Sequence, residues 1–211
     1  MKCISIFAIA VCLVSAPLFA AEKTDDEGFV ELFNGKDVSN FEIRGNQSDF
    51  PVKDGIIRCE AGGKGDWMLY KKEKFSDFVY RVEWRVSERG NSGVFIRAGG
   101  EGQPWIDGYE VQISCEEPRR DESHCTGALY GFQAVNPRPE ETPEKWRVFE
   151  ITCKGPHVTV SVDGQRVCEL DQSTQEETKD KALSGYLGIQ DSHGPAGTWV
   201  EYRSVKVKKL K

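Results

Sequence analysis

The chain has 211 residues, with 28 Lys and Arg against 34 Asp and Glu and a formal net charge of -6. An acidic balance of this kind excludes the basic surface that nucleic-acid binding needs. Beyond the N-terminal segment, no apolar run approaches the roughly 20 residues required to span a bilayer as a helix.

Lys2 precedes an apolar run, Cys3 to Val14, broken by Ser15-Ala16-Pro17 and followed by the small residues Ala20 and Ala21. This order reads as a secretory signal peptide over residues 1–20, cleaved near Ala20, and implies a secreted or periplasmic protein. The remainder fits one domain, residues 28–210, behind a short charged leader. An exported chain can keep disulfides. Of Cys59, Cys115, Cys125, Cys153 and Cys168, the expected pair is Cys115 with Cys125, which bracket a charged loop, and the odd count leaves at least one thiol over. No C-x-x-C is present, which argues against a structural zinc site.

Along the chain the apolar period is two. Asn34-Gly35 and Asp54-Gly55 are tight-turn pairs. From Val79 to Val86, Tyr80, Val82, Trp84 and Val86 share one face, and Arg81, Glu83 and Arg85 the other. Val94 and Ile96 alternate with Phe95 and Arg97; Tyr109, Val111 and Ile113 alternate with Glu110 and Gln112. Val158 to Val162 and Arg166 to Leu170 flank Asp163-Gly164 as a hairpin. Thr174 to Leu183 is the one segment with the spacing of a short helix. Short alternating strands between frequent turns predict an all-β antiparallel sandwich with one polar face per sheet.

Three strands carry an unusual polar set: Glu83 and Arg85, Phe95 and Arg97, Glu110 and Gln112. If those strands are neighbours, the set lines one surface at about 5 Å spacing. Carboxylates and amides there would bond sugar hydroxyls, and the aromatic would pack on a ring face. The bland alternative is a salt-bridged solvent face. Two segments favour a site: the small-residue loop Thr126 to Gly131 with its Tyr130, and Gln190-Asp191-Ser192-His193-Gly194, which puts an amide, a carboxylate and an imidazole in one turn. No nucleophile elbow, phosphate loop or dinucleotide fingerprint occurs. Glu110 to Cys115 lacks the second carboxylate of two-carboxylate glycosidases. Trp67, Trp105 and Trp146 read equally as sugar platforms or as core.

Glu31-Leu32-Phe33-Asn34-Gly35-Lys36, Gly90-Asn91-Ser92-Gly93-Val94-Phe95-Ile96-Arg97, Gly108-Tyr109-Glu110-Val111-Gln112-Ile113, Thr126-Gly127-Ala128-Leu129-Tyr130-Gly131 and Gly188-Ile189-Gln190-Asp191 resemble, in this order, motifs of the 3-keto-disaccharide hydrolase family. The resemblance implies a concanavalin A-like jelly roll and glycoside substrates with a ketone at C3. It carries over Arg97, Glu110, Gln112, Gln190, Asp191 and His193. Ser192 is an insertion relative to the usual Gln-Asp-His-Gly turn and displaces the His by one residue.

A C3 ketone acidifies the C2 proton, so a base can remove it and the enolate can expel the C1 oxygen. Water addition then gives net hydrolysis; without it the enzyme is a lyase. The expected catalytic residues are Glu110 and His193 as base and acid, in either order, with Arg97 holding the enolate oxygen. An arginine beside Glu110 would lower its pKa and favour it as the base. Gln112, Gln190, Asp191, Arg85, Phe95 and Tyr130 are the expected substrate contacts. The sequence establishes no cofactor; a divalent metal could assist or replace Arg97, with His193, Asp191 and Glu110 as ligands. The alternatives are a non-catalytic carbohydrate-binding module of the same fold and a structural surface protein without a ligand.

Overall fold

A computed structural model describes residues 27–62, 65–116 and 118–211. The expected signal peptide, residues 1–20, lies outside the described residues. The strands are β1 (Val30–Glu31), β2 (Glu42–Arg44), β3 (Val52–Lys53), β4 (Ile56–Glu60), β5 (Trp67–Phe75), β6 (Phe78–Val86) and β7 (Asn91–Ala98), then β8 (Tyr109–Ser114), β9 (Arg147–Lys154), β10 (His157–Val162), β11 (Gln165–Asp171), β12 (Gly185–Gln190) and β13 (Trp199–Lys209), with one short helix, α1 (Pro104–Asp107). None of the described helices is long and apolar enough to cross a membrane.

All pairings are antiparallel and make two sheets. The larger runs β11-β10-β9-β6-β13-β4-β3, with β1 on β13; the smaller runs β2-β5-β12-β7-β8. The antiparallel sandwich expected from the alternation is therefore present, as is the jelly roll that the resemblance implies. Its two inner faces meet in one core that includes Tyr80, Val82, Trp84, Phe149 and Tyr202 from the larger sheet, and Val94, Val111, Ile113, Leu187 and Ile189 from the smaller. Each such aliphatic or aromatic side chain contributes about 1.5–3 kcal/mol by leaving water. The Asp54-Gly55 and Asp163-Gly164 turns close hairpins in which both residues have positive φ, 52° and 77° in one and 51° and 81° in the other. This is the turn that matches strand twist and that Asp-Gly accommodates.

The two sheets are also pinned by polar contacts beneath the smaller one. The Tyr202 hydroxyl lies 2.8 Å from Ser92 Oγ, and Ser92 Oγ donates to the Gln190 carbonyl at 3.0 Å. The Tyr80 hydroxyl donates to the Gly188 carbonyl at 3.2 Å. β7 and β12 are thus held from below at the level where their outer faces carry polar side chains.

Four expectations are corrected here. β6 belongs to the larger sheet and β7 and β8 to the smaller, so Glu83 and Arg85 are not beside Glu110 but on the far side of the molecule. No disulfide joins Cys115 and Cys125: all five described cysteines are buried thiols. Thr174 to Leu183 is not a helix; a single 3-10 turn, Gln172–Thr174, is followed by turns.

The fourth concerns Arg97. Tyr186 pairs with Ala98 while Gly188 pairs with Phe95, so β7 has one more residue than β12 over this stretch. Such a bulge breaks alternation, and Arg97 takes φ 54°. Its side chain turns into the protein, fully buried, donating to Gln172 Oε1 at 3.0 Å and to the carbonyls of Gly155 and Ser76 at 2.7 and 3.3 Å. Glycines flank the bulge by necessity: a Cβ on Gly185 would lie 2.2 Å from the Arg97 carbonyl carbon, and one on Gly108 2.3 Å from the Ile96 oxygen.

Candidate active site

β7 and β8 are buried at every residue, although half of their side chains face away from the sandwich core. On that outer face Phe95 lies opposite Glu110 and Gly93 opposite Gln112. Three segments fold over it: α1 with Trp105, the segment after β8 with Arg120 and Tyr130, and the turn after β12 with His193. Together with Gly65, Asn91, Glu110, Gln112 and Gln190, they enclose an open-mouthed cavity of about 250 Å³. Its size suits a small-molecule group.

Glu110 is 5% exposed. Burial holds its carboxyl pKa up at about 8, and the charge of Arg120 offsets only part of this. Space for the carboxyl comes from Gly93, where an added Cβ would lie 2.3 Å from Glu110 Oε1. A Gly93→Ala protein is therefore expected to fold as the parent does, because the neighbour that must move is a side chain in a cavity, but to displace the Glu110 carboxyl. Circular dichroism alongside a crystal structure of the variant checks both halves.

A chain of hydrogen bonds orders the polar wall. Gln112 Nε2 donates to Asn91 Oδ1 at 3.1 Å, and Asn91 Nδ2 to Glu116 Oε2 at 2.9 Å. Arg120 is paired with Glu116, and its Nη1 donates to the Tyr130 hydroxyl at 3.3 Å. The Thr126–Gly131 segment is docked on the β8 edge: the Tyr130 amide donates to the Glu110 carbonyl at 2.9 Å, and the Gln112 amide to the Ala128 carbonyl at 3.0 Å. Among the described residues, Gln112 Oε1 and Gln190 Oε1 find no partner. A buried acceptor left open is costly unless a ligand donor fills it.

His193 stands at the mouth, reached by solvent on one side. The cavity walls desolvate its imidazole and hold its pKa below the usual value; Glu116 pulls the other way and Arg120 reinforces the lowering. The inserted Ser192 is itself buried, so the longer turn still delivers His193 to the cavity. Its backbone amide donates to the Asn91 carbonyl at 3.2 Å.

Of the residues expected at the site, Glu110, Gln112, Gln190, His193 and Tyr130 line one cavity. Four do not. Arg97 faces the core, for the reason given above. Arg85 lies on the outer face of the larger sheet, bound to Glu201, which also binds Arg58, while Glu83 binds Arg203; the salt-bridged-surface alternative is correct for that face. Phe95 is fully buried, with Trp105 6.3 Å above it, so the aromatic that reaches the cavity is Trp105. Asp191 is the residue after Gln190 and points to the other side of the sheet, where it meets Asp49 and Asp66. It therefore cannot share a metal with Glu110 and His193. Sequence reasoning missed Arg120, Asn91 and Gly65. Arg120 sits in a charged segment that reads as surface, and only its pairing with the polar wall marks it. Asn91 was inside a quoted motif without a role.

Comparisons with known proteins place the chain by sequence and by fold. The chain is 31% identical over 235 aligned residues to a 3-keto-disaccharide hydrolase of Bacteroides thetaiotaomicron, covering 88% of this chain and 80% of that one. Its fold matches a candidate glycosyl hydrolase from Parabacteroides distasonis with a TM-score of 0.71 at 20% identity, over 91% of this chain and 98% of that one. It also matches carbohydrate binding module CBM66 from Bacillus subtilis with a TM-score of 0.53 at 12% identity, over 81% and 96% respectively. The 3-keto-alpha-glucoside-1,2-lyase-like domain model matches residues 28–208, and the chain belongs to that family.

Proposed function

We propose that the protein is an exported carbohydrate-active enzyme that cleaves the glycosidic bond of 3-keto-glycosides by elimination across C1 and C2, followed in the hydrolytic case by water addition. The observation that carries this reading is the pair in the cavity. Burial leaves the Glu110 carboxyl protonated and the His193 imidazole neutral at pH 7. Titratable groups pushed apart in this way define an acid and a base.

His193 then takes the C2 proton, and the C–H electron pair forms the C2–C3 double bond with the charge on the C3 oxygen. Arg120, in place of the expected Arg97, supplies the positive charge facing that oxygen. As the ketone re-forms, the C1–O bond breaks and the Glu110 proton goes to the departing oxygen. The products are the free aglycone and a 1,2-unsaturated 3-keto sugar. Adding water across that double bond gives the 3-keto sugar and completes a net hydrolysis. The open Gln112 and Gln190 oxygens accept from sugar hydroxyls, and Trp105 offers its ring to the sugar face. The order of acid and base is the reverse of what an adjacent arginine would give, because Arg97 faces away and burial dominates at Glu110.

The test is aglycone release from a 3-keto glucoside against its unoxidised parent. Release from the keto sugar alone supports the reading. Saturable binding of both without release supports a binding module instead. The pH profile of kcat/KM should be a bell. The alkaline limb falls through about 8, as Glu110 loses the proton it must donate. The acid limb falls below the ordinary histidine range, as His193 gains the proton it must be free to accept. A profile still rising above pH 9 would exclude Glu110 as the acid.

A further inference from the structure

Behind the cavity wall, Asp49, Asp66 and Asp191 bring carboxylate oxygens from three separate segments within 4.8 Å of one another. Asp49 lies in the 3-10 turn Gln47–Asp49, Asp66 just before β5, and Asp191 just after β12. Asp191 has no exposed surface, and among the described residues neither of its carboxylate oxygens finds a hydrogen-bond partner. The Asp66 amide points toward it without closing one. Buried carboxylates elsewhere in proteins are bonded or paired; this one faces two more carboxylates. Among the described residues, the charged groups acting on Asp191 are Asp66 and Asp49, those acting on Asp49 reduce to Asp66, and no Lys or Arg contributes appreciably to either. Protonation does not resolve the arrangement, since a neutral Asp191 would still hold an unpartnered oxygen. The backbone is shaped to keep the group together: a Cβ on Gly45 would lie 1.9 Å from the Asp66 carboxylate carbon, and the Asn46 amide donates to Asp66 Oδ2 at 2.8 Å.

We propose that Asp49, Asp66 and Asp191 form a calcium site that clamps the wall of the cavity. The donors are all carboxylate oxygen with no nitrogen or sulfur, which selects a hard cation. Three ligands from loops and a strand end suit Ca²⁺, which accepts irregular geometry and fills its shell with water and carbonyls, better than Mg²⁺ with its strict octahedron. The ion sits one residue from the pocket on two sides. Asp66 follows Gly65, where an added Cβ would stand 3.9 Å from His193 Cβ and Cγ. Asp191 lies between Gln190 and His193, with its amide bonded to the Asp66 carbonyl at 2.9 Å. Bound Ca²⁺ replaces carboxylate repulsion with a tie between the segment before β5 and the His193 turn. The site stands whatever reaction the cavity performs.

The test uses the whole chain stripped with chelator, titrated with CaCl₂ by calorimetry and followed by thermal unfolding. One Ca²⁺ binds per chain, and saturation raises Tm by about 5 °C or more. Asp191→Asn abolishes binding and the Tm response, while metal-free Asp191→Asn is at least as stable as the metal-free parent, because a like charge has gone. Asp49→Asn, at the more open ligand, weakens affinity by about tenfold or more through lost ligand charge. The proposal is overturned by a stripped protein whose Tm is unchanged at millimolar Ca²⁺ with no binding heat, by Asp191→Asn binding Ca²⁺ like the parent, or by uptake of Zn²⁺ in place of Ca²⁺.

Discussion

Glu110→Gln is expected to lower kcat on a 3-keto glycoside by about 10²–10⁴-fold, the usual worth of a positioned general acid, with little change in affinity for the substrate. The amide keeps the size of the side chain and the contact with Gly93, but it has no acidic proton for the leaving oxygen. Stability should move in the opposite direction. In the folded protein Glu110 keeps its proton to about 8, whereas the unfolded chain releases it near the ordinary glutamate value of 4.5. Folding is therefore opposed increasingly as pH rises between those values, and the cost remains above them. The Gln variant escapes it, so its Tm should equal the parent's near pH 4 and exceed it at pH 9. Lower activity with higher alkaline stability is hard to obtain from a damaged fold. A variant that is inactive and also less stable at pH 9 would point to a structural role for Glu110. The rate assay and a pair of melting curves decide between them.

Arg97→Lys should show the reverse pattern. The guanidinium is fully buried and satisfies Gln172 Oε1 and the carbonyls of Gly155 and Ser76 through separate N–H groups. A lysine ammonium on an unbranched stem cannot reproduce that fork. Bonds from a buried charged donor are worth about 1.5–3 kcal/mol each, so losing one or two should cost about 3 kcal/mol or more of stability. Folded Arg97→Lys should nevertheless keep a near-parental kcat at low temperature, because the residue faces away from the cavity. Urea unfolding gives the first quantity and initial rates below the transition give the second. A large fall in kcat with unchanged stability would return Arg97 to the catalytic role that its motif implies.

The sheet architecture was legible in the sequence because alternation is a one-dimensional record of burial. Tyr80, Val82 and Trp84 do face the core, and Asp163-Gly164 does close a hairpin. Alternation says which side chains share a strand face, but not which sheet a strand joins. That is why Glu83 and Arg85, polar like Glu110 and Gln112, were grouped with them across the thickness of the sandwich. It also assumes an unbroken strand, and the bulge at Arg97 reversed the side to which that residue points. Glu110, Gln112, Gln190 and His193 were accessible from strand parity and motif together. Arg120 and Asn91 were not, because their importance lies in a hydrogen-bond chain that joins Gln112 to Tyr130 across separate segments. Asp49 and Asp66 carry no spacing signal at all: Asp66 meets Asp191 because β12 pairs with β5, and Asp49 lies in the turn that follows β2 on the other edge of β5.

The central claim is that the glycosidic bond breaks only after the C2 proton has left. It is tested most directly with a 3-keto glucoside carrying deuterium at C2, incubated with the enzyme in ordinary water and analysed by mass spectrometry. The account predicts a slowed release of aglycone relative to the protiated sugar and loss of the C2 deuterium in step with release, with both effects absent in His193→Ala because release itself is lost. Aglycone release at the same rate, with the deuterium fully retained in the sugar product, would mean that water attacks C1 directly and that the elimination chemistry assigned to Glu110 and His193 is wrong.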